Sequence, residues 1–411
     1  MNIMMISLSF PPEINSSSHL FHGLGSEFAR RGHHVTIVTG FPTYNIDRST
    51  LPPKYRSGLW LRESMEGMEV VRSRTLQMPR NIPVLRGIDQ ITTSIGFALA
   101  GALLSHTRPD VVLIYSPPLF LGMSGWAMKV VRGAKVVLNV QDLFPQNAID
   151  LGVLKSSFLI ALFRRVESFL YRNVDAVAVH SQGNRDHVVQ GGGNPARTRV
   201  VFNPVDTKTI VPGNRNNAFR SRYKIGEKEL LVSYAGILGY AQDLDTVIEA
   251  AALMNDMGDV VFYIVGDGVE KSRLMKLAEG MSNVRFLPML DRDRYLELLH
   301  ASDVCLATLR GSMKTPVVPA KILSIMAAGR PLVAGFPLDG DAPGMIQDAG
   351  CGVCVEPENA AKLAEAIKTV LANPLLAVQY SRKGRAYVEA HCSLEGCAAA
   401  YESVFDEITR R

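Results

Sequence analysis

Cysteine is scarce. The five residues stand at 305, 351, 354, 392 and 397, all in the second half of the chain. An odd count in a chain this long argues against a disulfide framework, and Cys351-Gly-Val-Cys354 has no second pair at zinc spacing. Structural thiols are expected. Aromatics make up 7% of the residues, with two Trp, which leaves few platforms for stacked bases, and no nucleic-acid module is visible. No apolar stretch reaches about 18 residues without a charge, so no spanning helix is expected. The start, Met1 to Phe10, lacks the basic head and small-residue cleavage site of a signal peptide. It reads as a buried strand, and a cytoplasmic location is expected. No G-x-G-x-x-G follows that strand, which disfavours an ordinary dinucleotide site. A P-loop and a G-x-S-x-G elbow are absent too. His33 and His34 read as exposed polar residues before a strand, and no metal site is expected.

The balance that remains is globular. With 47% hydrophobic and 20% charged residues, 34 Gly and 22 Pro, disordered, collagen-like and coiled-coil chains are excluded. The 411 residues suffice for two or three domains with cores that need no metal or disulfide staple. Strand-length apolar runs at 2–10, 34–39, 111–115, 135–140 and 174–180 alternate with helical patterns such as 19–31. The alternation restarts with strands at 230–235, 260–265, 284–287, 304–307 and 332–334, and with helices at 245–254, 269–279, 292–300 and 320–328. Short strands apolar on both faces and separated by helices predict parallel sheets covered on both sides. The fold class is therefore α/β, with two Rossmann-like domains in series. The first spans 1–205 and the second 206–385, with the boundary near Phe202–Asp206 and a polar loop at 212–217.

Net charge is +5. Residues 1–205 carry 21 Lys and Arg against 13 Asp and Glu, a net of +8, and the remainder carries 23 against 26, a net of −3. Basic residues cluster from Arg48 through Lys54, Arg56, Arg62, Arg72, Arg74 and Arg80 to Arg86, against Glu63, Glu66 and Glu69. This suggests an anionic partner, although a solvated face gives the same pattern. The charge-free stretch Ile91–Leu104 is compatible with a buried helix or with a helix lying in a membrane surface.

In open parallel sheets ligands bind beyond the carboxyl ends of the strands, and the chain places its polar motifs there. Pro11–His19 leads from a strand into a helix, where free N–H groups suit a phosphate or a sugar hydroxyl, or where Ser16–Ser18 serve as caps. Gln141 and Asp142 follow the strand at 135–140. Asp142 could orient a hydroxyl or take a proton, or cap the next turn. Gly266-Asp267-Gly268 permits close backbone approach. The strongest signal is the run from Lys314 to Pro331, with Pro319 as a first-turn proline and Lys321 in the first turn. A cation there opposes the helix dipole unless a bound diphosphate reverses the sign.

These stretches resemble a GT-B-fold glycosyltransferase of family 4 over essentially the whole chain. Ala29–Thr39, Tyr234–Asp245 with Val265–Gly268 and Val284–Leu287, and Pro319–Pro331 carry the resemblance. Gln141–Pro145 with Leu151–Leu154 resembles the subgroup that transfers acetamido sugars in O-antigen and capsule assembly. The resemblance implies two domains facing a cleft, with the tail 386–411 returning to the first. It implies a retaining, metal-independent transferase of the EC 2.4 class, with no cofactor. The donor would be a UDP-sugar and the acceptor a polyprenyl-diphosphate-linked saccharide at an anionic membrane face, with no nucleic-acid partner. Asp142, Gln141 and Lys321 would be catalytic. Donor contacts would come from Asn15, Ser16, Gly236, Gly239, Gln242, Gly266, Asp267, Gly268, Phe286, Leu287, Met289, Pro319, Ala320, Lys321 and Ile322, and acceptor contacts from Ser17, His19 and Tyr44. Backbone groups of Phe286–Met289 would meet the base.

The chain also departs from the family pattern. Gln141 stands where a catalytic His is usual, Ile237 and Gln242 stand for an Arg and a Lys, and Pro316 and Ser324 stand for paired glutamates. Asn15-Ser16 replaces Gly-Gly. Phosphate charge would then fall on Lys321, aided by Lys314 or Arg310. A UDP-sugar 2-epimerase and a catalytically silent nucleotide-sugar-binding homologue remain as alternatives.

Overall fold

The structure is a computed structural model. It describes all residues except 14, 44, 45, 47–50, 77, 79–82, 314 and 411, and for 83, 84 and 86 the backbone alone. Two units emerge: Met1–Pro204 with Leu394–Arg411, and Val205–Ser393. The expected return at 386 is corrected to Leu394, because the helix Pro374–His391 packs within the second unit.

In the first unit the strands are β1 (Asn2–Ile6), β2 (His34–Gly40), β3 (Trp60–Met65), β4 (Met68–Ser73), β5 (Val111–Ser116), β6 (Lys135–Val140), β7 (Ala176–Val179) and β8 (Thr198–Val200). They form one sheet in the order β3-β4-β2-β1-β5-β6-β7-β8. The helices are α1 (Ser16–Arg30), α2 (Pro83–Leu104), α3 (Leu121–Arg132), α4 (Gln146–Asp150), α5 (Ser157–Asn173) and α6 (Gln182–Gln190). All pairings are parallel except β3 with β4. Successive side chains of a strand point to opposite faces, so β1 sends Ile3 and Met5 to one core and Met4 and Ile6 to the other. Phe21, Leu24 and Phe28 of α1 cover the first face. Phe97, Met128 and Leu170, from α2, α3 and α5, cover the second.

The second unit holds α7 (Ala218–Arg222), β9 (Leu230–Ala235), α8 (Leu244–Ala252), β10 (Val260–Val265), α9 (Lys271–Leu277), β11 (Val284–Leu287), α10 (Arg292–Ala301), β12 (Val304–Thr308) and α11 (Ala320–Ala327). It continues with β13 (Leu332–Gly335), α12 (Asp341–Ala349), β14 (Gly352–Val355), α13 (Ala360–Ala372) and α14 (Pro374–His391). Its all-parallel sheet runs β11-β10-β9-β12-β13-β14. The last helix, α15 (Leu394–Thr409), belongs to the first unit. There it lays Tyr401 and Phe405 against Phe28, with ring centroids 6.4 and 5.7 Å away. Arg31 grips Glu402 with two hydrogen bonds of 2.8 and 2.6 Å.

Two expectations change here. The basic cluster is only partly an open face: Lys54, Arg56, Arg62 and Arg74 are exposed, and Arg72 is not. Arg72 is fully buried, with its Nε 2.6 Å from Glu63 and further bonds to the carbonyls of Gly40 and Pro11. Lys54 also pairs with Glu63, and Arg62 pairs with Glu69. The hairpin β3–β4 folds these charges onto each other. Arg48, Arg80 and the Arg86 side chain lie outside the described residues. Ile91–Leu104 is the body of α2, half packed and half exposed, and by length and composition alone this helix could cross a membrane. The five cysteines form no disulfide, four of them are buried, and burial pushes Cys305 up to about 11.

Candidate active site

At the carboxyl edge of the first sheet, the loop after β1 feeds α1. Asn15, in extended conformation, is the cap: its Oδ1 accepts from the Ser18 backbone N–H at 2.9 Å and from Ser17 Oγ at 2.8 Å. The expectation that Ser16–Ser18 cap the helix is therefore corrected, since they form its first turn. Ser16 and His19 are exposed there, and Ser17 is half-buried. Tyr44 lies outside the described residues.

Gln141 and Asp142 follow β6, two strands away from β1 in the same sheet. Gln141 is half-buried, and both ends of its amide are engaged. Nε2 donates to Asn139 and Asn203 at 2.8 Å each, and Oε1 accepts from Asn203 at 2.7 Å. In this arrangement the Gln141 side chain braces the loop. Asp142 differs. Among the described residues none bonds its carboxyl. One side reaches solvent, while the protein crowding the other raises its pKa. The charge of Asp142 in turn helps to raise the Tyr115 hydroxyl.

In the second unit, four loops meet at the carboxyl edge of the sheet. Gly236 follows β9 with φ +151 and Gly266 follows β10 with φ +148, values that L side chains rarely adopt. A Cβ on Gly266 would stand 1.8 Å from the Gly236 carbonyl, and one on Gly236 would stand 2.7 Å from Lys321 Nζ. Backbone bonds lace the same loops: Gly236 N–H to Val265 at 2.9 Å and Leu238 N–H to Asp267 at 2.9 Å. Gly268 sits against Leu238 with no room for a side chain.

Lys321 rises from the first turn of α11. Its Nζ lies 3.6 Å from the centre of the Tyr234 ring, and among the described residues no carboxylate pairs with it. Crowding protein pushes its pKa down to about 7. A cation over an aromatic face is stabilised by the ring quadrupole, but that does not replace lost hydration. The group is open to an anion. Tyr234, the floor beneath it, is a site residue that strand periodicity hid, because Tyr in a two-sided strand reads as core.

The rest of the predicted donor set sorts differently. Pro319 is extended at the N-cap position, one residue before the helix, so the first-turn assignment is corrected. It offers no side-chain cap, which leaves the N–H groups of Ala320 and Lys321 without an intrahelical partner. Ile322 is fully buried. Gln242 turns inward, its Oε1 accepting from the Gly239 N–H at 3.2 Å. Asp267 pairs with Lys271 at 2.7 Å, which lowers its pKa, and also accepts from Met289 N–H at 3.3 Å. Phe286 and Leu287 pack their side chains against the cores, and the Leu287 carbonyl accepts from Gly266. Met289 is exposed. Arg310 pairs with Asp245 through Nη2 at 2.8 Å, and among the described residues its Nε has no partner. Lys314 lies outside the described residues. Among the described residues no three His, Cys, Asp or Glu side chains converge on a metal position.

Two α/β units of this kind, each built on a largely parallel sheet, have the GT-B architecture. Solved structures share that fold. Sucrose-phosphate synthase from Thermosynechococcus elongatus matches with a TM-score of 0.76 at 18% identity, over 100% of this chain and 99% of its own. HepE of Anabaena in complex with UDP matches at 0.72 and 16%, over 99% and 100%. A family model described as a glycosyl transferase 4-like domain matches residues 18–204, and one described as glycosyl transferases group 1 matches 229–373. The chain belongs to glycosyltransferase family 4. Among curated relatives, WcaI of Escherichia coli K12, named for colanic acid biosynthesis, is 26% identical over 95% of this chain and 96% of its own length. WbjE of Pseudomonas aeruginosa, with a glycosyltransferase name, is 27% identical over 71% and 73%.

Proposed function

We propose that the protein transfers a sugar, an acetamido hexose, with retention from a UDP-sugar to a polyprenyl-diphosphate-linked saccharide during surface polysaccharide assembly. It works at the inner face of the cytoplasmic membrane and without a metal. The observation that carries this reading is Lys321: a crowded ammonium at a helix N-terminus, with no carboxylate partner among the described residues, beside Gly236, where a Cβ would stand 2.7 Å from its Nζ. The name of the colanic acid relative and the UDP bound to a structural neighbour agree with it.

In this reading Lys321 and the first N–H groups of α11 hold the diphosphate and stabilise charge as it departs. The acceptor hydroxyl attacks the anomeric carbon from the face the diphosphate leaves, and its proton passes to the leaving phosphate. Asp142 orients the acceptor or donor hydroxyls. Catalysis is then positioning and charge stabilisation.

The test is incubation of the purified chain with radiolabelled UDP-sugars and a membrane lipid extract. Label entering the lipid phase is expected. Label retained in an altered nucleotide sugar without any acceptor would assign epimerisation instead. UDP binding with no turnover across acceptors would mark a silent homologue.

A further inference from the structure

We propose that Tyr234 is the positioning residue for Lys321: its ring seats the ammonium and leaves the charge free to meet a diphosphate. The inference deepens the donor-site reading of the proposed function and rests on it.

Lys321 Nζ stands 3.6 Å from the centre of the Tyr234 ring, well inside the roughly 6 Å over which a ring quadrupole holds a cation. Among the described residues four other cations lie over rings, at 4.8 to 5.7 Å: Lys54 and Arg72 over Tyr55, Arg74 over Phe41 and Arg285 over Tyr263. Each of these also donates a hydrogen bond. Lys54 and Arg72 donate to Glu63, Arg74 to the Gly58 carbonyl and Arg285 to the Tyr263 hydroxyl. There the ring is an accessory to a polar partner. Lys321 differs, because among the described residues no carboxylate or carbonyl accepts from it. The ring is its seat.

A carboxylate would hold the ammonium but neutralise it, and an incoming phosphate would compete with that carboxylate for the same donors. An aromatic face holds the cation and occupies no acceptor that a ligand must displace. Gly236 adds to this by having no side chain at the ammonium, where a Cβ would stand 2.7 Å from Nζ.

Tyr234 is itself firmly held. It lies in β9, 1% exposed, within the core of the second unit. Its hydroxyl donates to the Ile237 carbonyl at 3.0 Å. One side chain therefore fixes both the ammonium and the loop after β9, where Gly236 takes φ +151. A lysine stem loses much rotamer freedom when it is ordered. A seat formed before the ligand arrives removes that loss from the binding step.

The test titrates the full chain with UDP and with uridine by calorimetry. Tyr234→Phe keeps the ring. Replacing Tyr234 by mono-, di- and trifluorophenylalanine keeps its shape while draining the negative face that holds the cation. Tyr234→Phe is expected to bind UDP nearly as the parent does. UDP affinity should then fall stepwise with fluorination, to about tenfold weaker for the trifluoro ring. Uridine, which lacks the phosphates, should bind alike throughout the series. With Lys321→Met added, the dependence on fluorine should vanish. A ring that only supports the fold would instead weaken both ligands in both backgrounds. A flat or rising UDP series, a parallel loss of uridine binding, or an unchanged slope beside Lys321→Met overturns the inference. Lys321→Met alone separates it from its foundation. UDP affinity unmoved by that change removes the donor-site reading and this inference together, whereas weakened UDP binding with a flat fluorine series removes this inference alone.

Discussion

An ammonium already half-way to neutrality should make diphosphate binding depend on protons. Lys321 ordinarily titrates near 10.5 and is pushed down to about 7 by the protein around it. A phosphate oxygen at hydrogen-bond distance favours the charged form and draws the value back up. Above pH about 7, UDP should therefore bind together with a proton, and its Kd should rise about tenfold per pH unit, or about 1.4 kcal/mol. Calorimetry at about pH 8.5 in two buffers of different ionisation enthalpy should read an uptake of about one proton per UDP. Lys321→Met should abolish the uptake and weaken binding near neutrality by about 1–3 kcal/mol. Stability moves in the opposite sense. The folded pKa lies below the unfolded one, so the unfolded chain holds more protons between about 7 and 10.5, and wild type gains stability relative to Lys321→Met as pH rises through that window. A flat Kd from pH 7 to 9 with no proton uptake would refute the assignment of Lys321 to the phosphates.

Three further outcomes can be read directly. Gly266→Ala should lower the melting temperature and UDP affinity together, since the added carbon falls 1.8 Å from the Gly236 carbonyl at a φ of +148; unchanged melting would mean the loops yield without cost. Phe405→Ala should cost about 3–5 kcal/mol in denaturant unfolding, because a fully buried ring is removed from between α15 and α1; a loss under about 1 kcal/mol would show α15 to be peripheral to that core. Asp142→Asn should cut transfer by about 10²–10⁴-fold while leaving the Kd for UDP in place; full activity in the variant would remove Asp142 from the reaction.

Strands apolar on both faces were legible in place, four of them to the residue, while the expected 2–10 ends at Ile6 and the expected 174–180 shortens to Ala176–Val179. Lys135–Val140, Leu230–Ala235, Val260–Val265 and Val284–Leu287 have the bounds expected of them. The hairpin of β3 and β4 was not, because Arg62 and Glu63 interrupt one strand and Glu69 and Arg72 the other, so the charges dominated the pattern. Its turn signal, Glu66-Gly67 at φ +49 and +80, is a single dipeptide. Arg72 shows the general difficulty. Composition counts a cation, and only tertiary pairing with Glu63 shows that the charge never reaches solvent. At the candidate site the glycines and Lys321 were readable because backbone conformation and helix position constrain residue type. The engagement of Gln141 by Asn203, 62 positions away, has no local signature. Nor does the half-exposed setting of α2, since a charge-free run does not reveal which side meets the sheet.

The seating of α15 bears on the order in which the molecule can be made. Residues 205–393 leave the ribosome before Leu394 does, and the second unit can close while the first still lacks the helix that covers Phe28. For the time it takes to translate nearly half the chain, the earlier unit waits with an apolar groove open. Its productive folding is therefore exposed to premature stops, slow codons and chaperone supply in a way that the later unit's is not.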